Sequence, residues 1–206
     1  MTKIETVLGP IDSDQLGVIA PHEHFFIDTT FEAQEPATEK ARKLFESDVN
    51  IHNIDVLRRN PFLVKDNMVL DDLELAVYEV NRFLEAGGNT IVDLTNIGIK
   101  RDLNKIREVS KRTGANIIAG CGLYTGLTIP EPYRSMTAEQ LGDWMIDEIK
   151  NGDPQTGIKP GVIGEIGTSE VGEELEEKPL QTWKPAFPSI SIPIPGAGHL
   201  WTLLIS

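Results

Sequence analysis

Two histidines stand two residues apart in the run Pro21-His22-Glu23-His24. On an extended strand, residues i and i+2 point to the same side, so both imidazoles face one way. Two neutral imidazoles so placed form part of a ligand set for a divalent metal. The plainer reading is that they cap a turn. Position bears on the choice, because apolar Gly17-Val18-Ile19-Ala20 just upstream is a short buried-strand candidate. In β/α barrels, chemistry gathers where strands end. Glu165 ends another apolar run, Val162-Ile163-Gly164-Glu165-Ile166. A carboxylate buried there is costly unless a cation or strong donors satisfy it. The alternative is a surface carboxylate just beyond the strand. Asp93 lies in Val92-Asp93-Leu94, where hydrogen bonding to the following loop explains it better than ligation. Cys121 precedes Gly122 with no histidine nearby and reads as a buried inert thiol. His52 sits in a polar connection and should face solvent.

Such dispersed residues need a scaffold that brings their segments together. Apolar bursts alternate with helical periodicity along the chain, the pattern of successive β-α units. Thr38 is an expected N-cap for a short helix over 38–45. Leu70, Leu73, Val77, Val80 and Leu84 predict an amphipathic helix over 69–86, favoured at its start by Asp71 and Asp72 and stopped by Gly87-Gly88. A second strand follows over 89–94, and a helix over 102–112 with Leu103, Ile106 and Val109 inward and Gly114 as its stop. The third strand is 116–121. Thr137 with Gln140 has capping-box spacing for a helix carrying Leu141, Met145, Ile146 and Ile149. The fourth strand is 161–166. The predicted fold class is α/β: part of a TIM-type (β/α)8 barrel, about four to five units, without the C-terminal half.

Beyond residue 178 the character changes. Five prolines (179, 185, 188, 193, 195) fall in seventeen residues, and each costs roughly 3 kcal/mol in a helix interior. Residues 173–178 have room for one turn of helix, and Ser189-Ile190-Ser191-Ile192 is a candidate fifth strand. A complete eight-stranded barrel needs about 250 residues, against 206 here. The expected division is a half-barrel over 1–178 and a proline-rich aberrant tail over 179–206, as a truncated or frameshifted product would show.

The formal net charge of −13 argues against nucleic acid and anionic membranes as partners. The basic pairs Lys100-Arg101 and Lys111-Arg112 lack interleaved aromatics and read as the polar face of a helix. No apolar run reaches the roughly 18 residues of a membrane span. A single cysteine precludes an intrachain disulfide, and no basic-apolar leader opens the chain, so the expected location is cytoplasmic.

Gly17-Val18-Ile19-Ala20-Pro21-His22-Glu23-His24 resembles the first-strand signature of the phosphotriesterase family in the amidohydrolase superfamily. So do, in order, Thr6-Val7-Leu8-Gly9-Pro10-Ile11, the segment 86–93, Ala119-Gly120-Cys121-Gly122-Leu123-Tyr124, and the run 157–167 around Glu165. The resemblance covers about residues 3–178. It implies a β/α barrel holding two divalent ions, usually zinc, bridged by a hydroxide and a strand-four carboxylate. His22 and His24 would ligate the more buried ion. Glu165 would bridge, where many relatives use a carboxylated lysine. Tyr124 falls where relatives place an aromatic residue beside the substrate pocket. The implied reaction is hydrolysis of a small-molecule phosphotriester, lactone or other ester, and a homodimer is an implied assembly.

The pattern then departs from the family. Ile190-Ser191-Ile192-Pro193-Ile194-Pro195-Gly196 carries proline and isoleucine where the strand-five histidine belongs. His199 is a poor substitute, and the strand-six histidine and strand-eight aspartate have no counterpart. Two functional readings follow from these residues. One is a metal-dependent hydrolase impaired in this form; the other is an inactive fragment binding one metal or a partner chain. A third, an unrelated α/β protein, would show no zinc dependence of stability.

Overall fold

The computed structural model describes residues 2–167 and the backbone of 203–204. An antiparallel hairpin opens the chain, β1 (Lys3–Thr6) with β2 (Gly9–Asp12), in register from Lys3↔Asp12 to Thr6↔Gly9. Val7 at its turn is 4% exposed and donates its N–H to the Ile117 carbonyl, so the hairpin closes one end of the sheet.

The first barrel strand, β3 (Ile19–Glu23), starts two residues later than the apolar pattern suggests and runs through His22. Nor is it buried: Val18 is 60% and Ile19 40% exposed. The reason is topological. Among the described residues β3 is an edge strand, paired on one side only. A short strand, β4 (Ile27–Asp28), follows, then α1 (Glu39–Phe45), α2 (Ile54–Leu57) and β5 (Val69–Leu70). Thr38 caps α1 by accepting from the Ala41 N–H, as its residue type predicts. His52 is exposed, as expected. Val69 and Leu70, expected to open a helix, instead pair with Asp28 and Ile27. The helix α3 (Leu73–Glu85) begins after them, because the Asp72 carboxylate accepts from the Glu74 and Leu75 N–H groups. Gly87, at φ 96°, lets the chain turn out of it.

Then come β6 (Thr90–Asp93), α4 (Leu103–Thr113), β7 (Asn116–Cys121), α5 (Ala138–Asn151) and β8 (Val162–Ile163). Asp102 caps α4, Gly114 ends it at φ 79°, and Thr137 with Gln140 forms a complete capping box on α5. Strand order is β3-β6-β7-β8, all parallel, with helical crossovers between the later three. A last strand, β9 (Leu203–Leu204), is not foreseen from the sequence and pairs antiparallel with β8. The turn expected at 173–178, the strand at 189–192, His199 and most of the 179–206 tail lie outside the described residues.

Alternation along the strands sorts the core into two layers. Ile91, Ile117 and Ala119 pack outward on Val77, Val80, Ile106 and Val109 of α3 and α4. Val92, Leu94, Ile118 and Val162 pack together on the opposite, inner face. Cys121 and Ile163 meet Met145 of α5. Cys121 is fully buried, which pushes its thiol up to about 12 and makes it inert at neutral pH. This is the parallel half-barrel sheet expected of the sequence.

One basic pair is misjudged by sequence reasoning. Lys100 takes a left-handed φ of 72° in a loop, and Arg101 is buried rather than on a helix face. Arg101 pairs with Glu148 of α5 and donates to the Gly120 carbonyl at 2.7 Å. Lys111 and Arg112 do lie in the last turn of α4.

Candidate metal centre

Pro21 cannot donate to a sheet ladder, and the β3–β6 register slips by one residue there, from Ala20↔Ile91 to Glu23↔Asp93. Such a bulge bends a strand and re-aims its side chains. Across this bend His22 and His24 still reach the same point. His22 Nε2 lies 2.6 Å and His24 Nε2 3.3 Å from one oxygen, Glu165 Oε1. The ring centroids stand 5.4 Å apart, edge to face.

Glu165 arrives from the far side of the sheet. It follows β8, and its N–H donates at 3.2 Å to the Leu94 carbonyl at the tip of β6. To get there the chain crosses the end of β7, where Gly120 and Gly164 meet. A methyl group built on Gly120 would stand 3.1 Å from the Gly164 Cα. Glu165 is 5% exposed, so the alternative of a surface carboxylate is set aside. Its Oε1 is met by both imidazoles.

Burial raises the Glu165 pKa, but the hydrogen bond and charge of His24, then those of His22, outweigh it, and the net shift is down. Burial lowers that of His24, but Glu165 outweighs it, aided by Asp93 and Glu23, and the net shift is up. Without a cation each group thus favours the charged form of the other.

The donor set suits a divalent ion. One atom from each of His22, His24 and Glu165 lies within 4.8 Å of the others, and two imidazole nitrogens with a carboxylate oxygen are ligands zinc accepts. At ordinary zinc bond lengths, donors sharing a tetrahedral ion stand about 3.3 Å apart. The His24–Glu165 separation is already 3.3 Å, and His22 needs to open by less than an ångström. These three residues could hold a metal.

Tyr124 lies on the same rim. Its half-buried ring meets Phe31 edge-on at 6.0 Å. Burial raises its phenol pKa, and the charges of Glu165 and Glu32 raise it further.

Sequence reasoning missed the residues that hold the donors. Thr95 Oγ1 is 2.9 Å from His24 Nδ1, and the Asn96 amide donates to the Glu165 carbonyl. Asp93 is a loop anchor as expected, accepting from Phe25 N–H and Thr95 N–H at 2.9 Å each. The available signal was a polar run, Asp93-Leu94-Thr95-Asn96, directly after an apolar strand.

Comparison with known proteins agrees with this geometry. The sequence model of the phosphotriesterase family matches residues 2–199. N-acetyltaurine hydrolase of Xenopus tropicalis is 37% identical over 194 residues, covering 93% of this chain and 55% of that protein. A phosphotriesterase-related protein of Nematostella vectensis is 36% identical over 180 residues, 86% of this chain and 51% of its own. Among solved structures, a resiniferatoxin-binding protein from Rhodobacter sphaeroides superposes with a TM-score of 0.83 at 38% identity, over 87% of this chain and 50% of that one. A phosphotriesterase homology protein from Escherichia coli, crystallised with phosphate in its active site, gives 0.62 at 27% identity, over 85% and 50%. The chain thus spans about half the length of the relatives it matches, and the family match continues well past residue 178.

Proposed function

This chain belongs to the phosphotriesterase family, and from that premise we propose that it carries the metal-holding first half of a hydrolase site for small acyl or phosphoryl compounds. One observation carries the reading: His22, His24 and Glu165, up to 143 residues apart in sequence, converge on a single point. A zinc ion bound there would lower the pKa of a water molecule and polarise the bond under attack. The chain's own residues supply the rest. His22 and His24 offer Nε2 lone pairs, Glu165 supplies the compensating charge, and Tyr124 with Phe31 forms an aromatic wall beside the substrate. The bond cleaved is an ester, lactone or phosphotriester, and the relatives named for N-acetyltaurine extend the class to N-acyl amides.

The described residues offer three donors, enough for one ion and too few for two. That count favours a second reading, a single-metal chain without turnover. Zinc titration of the metal-free chain, followed by assays on aryl ester, lactone and N-acetyltaurine, separates the two. One equivalent bound with turnover supports the hydrolase; one equivalent without turnover supports the second reading. At a hundredfold excess over its dissociation constant, zinc should stabilise the fold by about 2.7 kcal/mol, or roughly 5–10 °C in Tm. A melting temperature indifferent to zinc and to chelator, in wild type and Glu165→Ala alike, refutes both.

A further inference from the structure

The two segments carrying the donors do not belong to neighbouring strands. β3 bears the histidines, Glu165 follows β8, and β6 and β7 lie between them. What joins them is the tip of β6, residues 93–96, all four fully buried. On the histidine side it grips three consecutive residues. Leu94 N–H donates to the Glu23 carbonyl at 3.0 Å, Thr95 Oγ1 lies 2.9 Å from His24 Nδ1, and Asp93 accepts the Phe25 N–H. On the glutamate side it grips both backbone groups of one residue. Leu94 O accepts the Glu165 N–H, and the Asn96 amide donates to the Glu165 carbonyl. Asn96 is itself fixed, its side-chain oxygen accepting the Gly98 N–H at 3.0 Å.

We infer that this tip is the positioning element of the centre, with Thr95 orienting His24 and Asn96 orienting Glu165, while neither residue donates to the ion. The inference rests on the metal-binding reading above. The chemistry at His24 follows from proton count. When Nε2 gives its lone pair to a cation, the one ring proton must sit on Nδ1, and Thr95 Oγ1 is in place to accept it. Asp93 anchors the backbone on either side of this contact, accepting the Thr95 N–H and the Phe25 N–H at 2.9 Å each. A hydroxyl hydrogen-bonded to the imidazole fixes the ring's rotation and raises its basicity as a ligand. Asp93 thus serves twice, through the Thr95 N–H that places the hydroxyl and through the Phe25 N–H that sets where His24 leaves the strand.

The test uses the whole chain and zinc alone. Metal affinity is read by competition with a chromophoric chelator, and folding by thermal melting in chelator. Thr95→Val, nearly the same shape without the hydroxyl, should weaken zinc binding about 10- to 100-fold. Thr95→Ser should restore it to within a few-fold. A purely structural role would instead lower the melting temperature of the metal-free variant and leave affinity intact. Independently of any variant, the zinc-loaded wild type should show the His24 Nδ1 proton in slow exchange with water by nitrogen-correlated NMR. Wild-type affinity in Thr95→Val, a serine variant as weak as valine, or a rapidly exchanging His24 proton overturns the inference while leaving the metal reading in place. Wild type that binds no zinc removes both together.

Discussion

Arg101→Met tests the account of the half-barrel's interior most sharply. Arg101 and Glu148 side chains are 3% and 2% exposed, so neither charge has water to fall back on. The arginine also donates to the Gly120 carbonyl and stands 3.9 Å from Asp153. Removing it leaves Glu148 buried beside Asp153, with Glu148 Oε2 already without a hydrogen-bond partner among the described residues. Breaking a buried pair from one side costs about 3–5 kcal/mol. In a chain of this size that is roughly 6–20 °C in Tm. The deficit should depend on pH. Burial already raises the Glu148 pKa, against the opposing pull of Arg101. Without the arginine its folded-state pKa rises further, so the folded protein binds a proton that the unfolded chain has released. Stability therefore falls as pH rises above the unfolded carboxyl value, and the deficit shrinks on acidification toward pH 5. Urea unfolding followed by circular dichroism, in chelator, at pH 5 and 7.5 measures both effects. Replacing both residues, Arg101→Met with Glu148→Met, should recover much of the loss, since two apolar side chains leave no orphaned charge. A single substitution costing less than about 1 kcal/mol at pH 7.5, or a double variant weaker than either single, would refute the reasoning.

Three further expectations concern the centre itself. In metal-free protein the His24–Glu165 pair should stabilise the fold most between about pH 4.5 and 6.5, the ordinary values of the two groups. The raised His24 pKa gives stability that is complete below 6.5 and lost as pH rises through its folded value; the lowered Glu165 pKa gives stability present above 4.5 and lost as pH falls through its own. Melting curves across pH in chelator should show this maximum, flattened in Glu165→Gln. The zinc-induced shift should run oppositely and shrink on acidification, because zinc needs the ring that protons occupy; growth of that shift at low pH contradicts the assignment. Gly164→Ala should cost about 1–3 kcal/mol by overpacking and should also weaken zinc binding. The added methyl group meets the Leu94 carbonyl that receives Glu165. Urea unfolding together with zinc titration checks it, and wild-type values in both would show that the crossing over β7 is not tight.

Much of this fold was legible because its signals are local. Asp102, Gly114, Thr137 and Gln140 act on groups three or four residues away, so α4 and α5 are where the sequence puts them. The failures involve distant partners. Val69 and Leu70 continue the apolar spacing of α3, yet β4 lies some forty residues upstream and takes them into a strand pair. Arg101 looks like a surface residue until Glu148, 47 positions later, is brought against it.

From the chain alone came the β-α alternation, the shared direction of His22 and His24, the oddity of Glu165 in an apolar run, and a family resemblance. Periodicity and type suffice for these, since each is a property of neighbours along a strand or helix. Only the tertiary structure decided that one carboxylate oxygen faces both imidazoles, and that the tip of β6 holds both sides from between. Those contacts join residues 68 to 143 positions apart, and parallel pairing through helical crossovers is what brings such separations within hydrogen-bond reach.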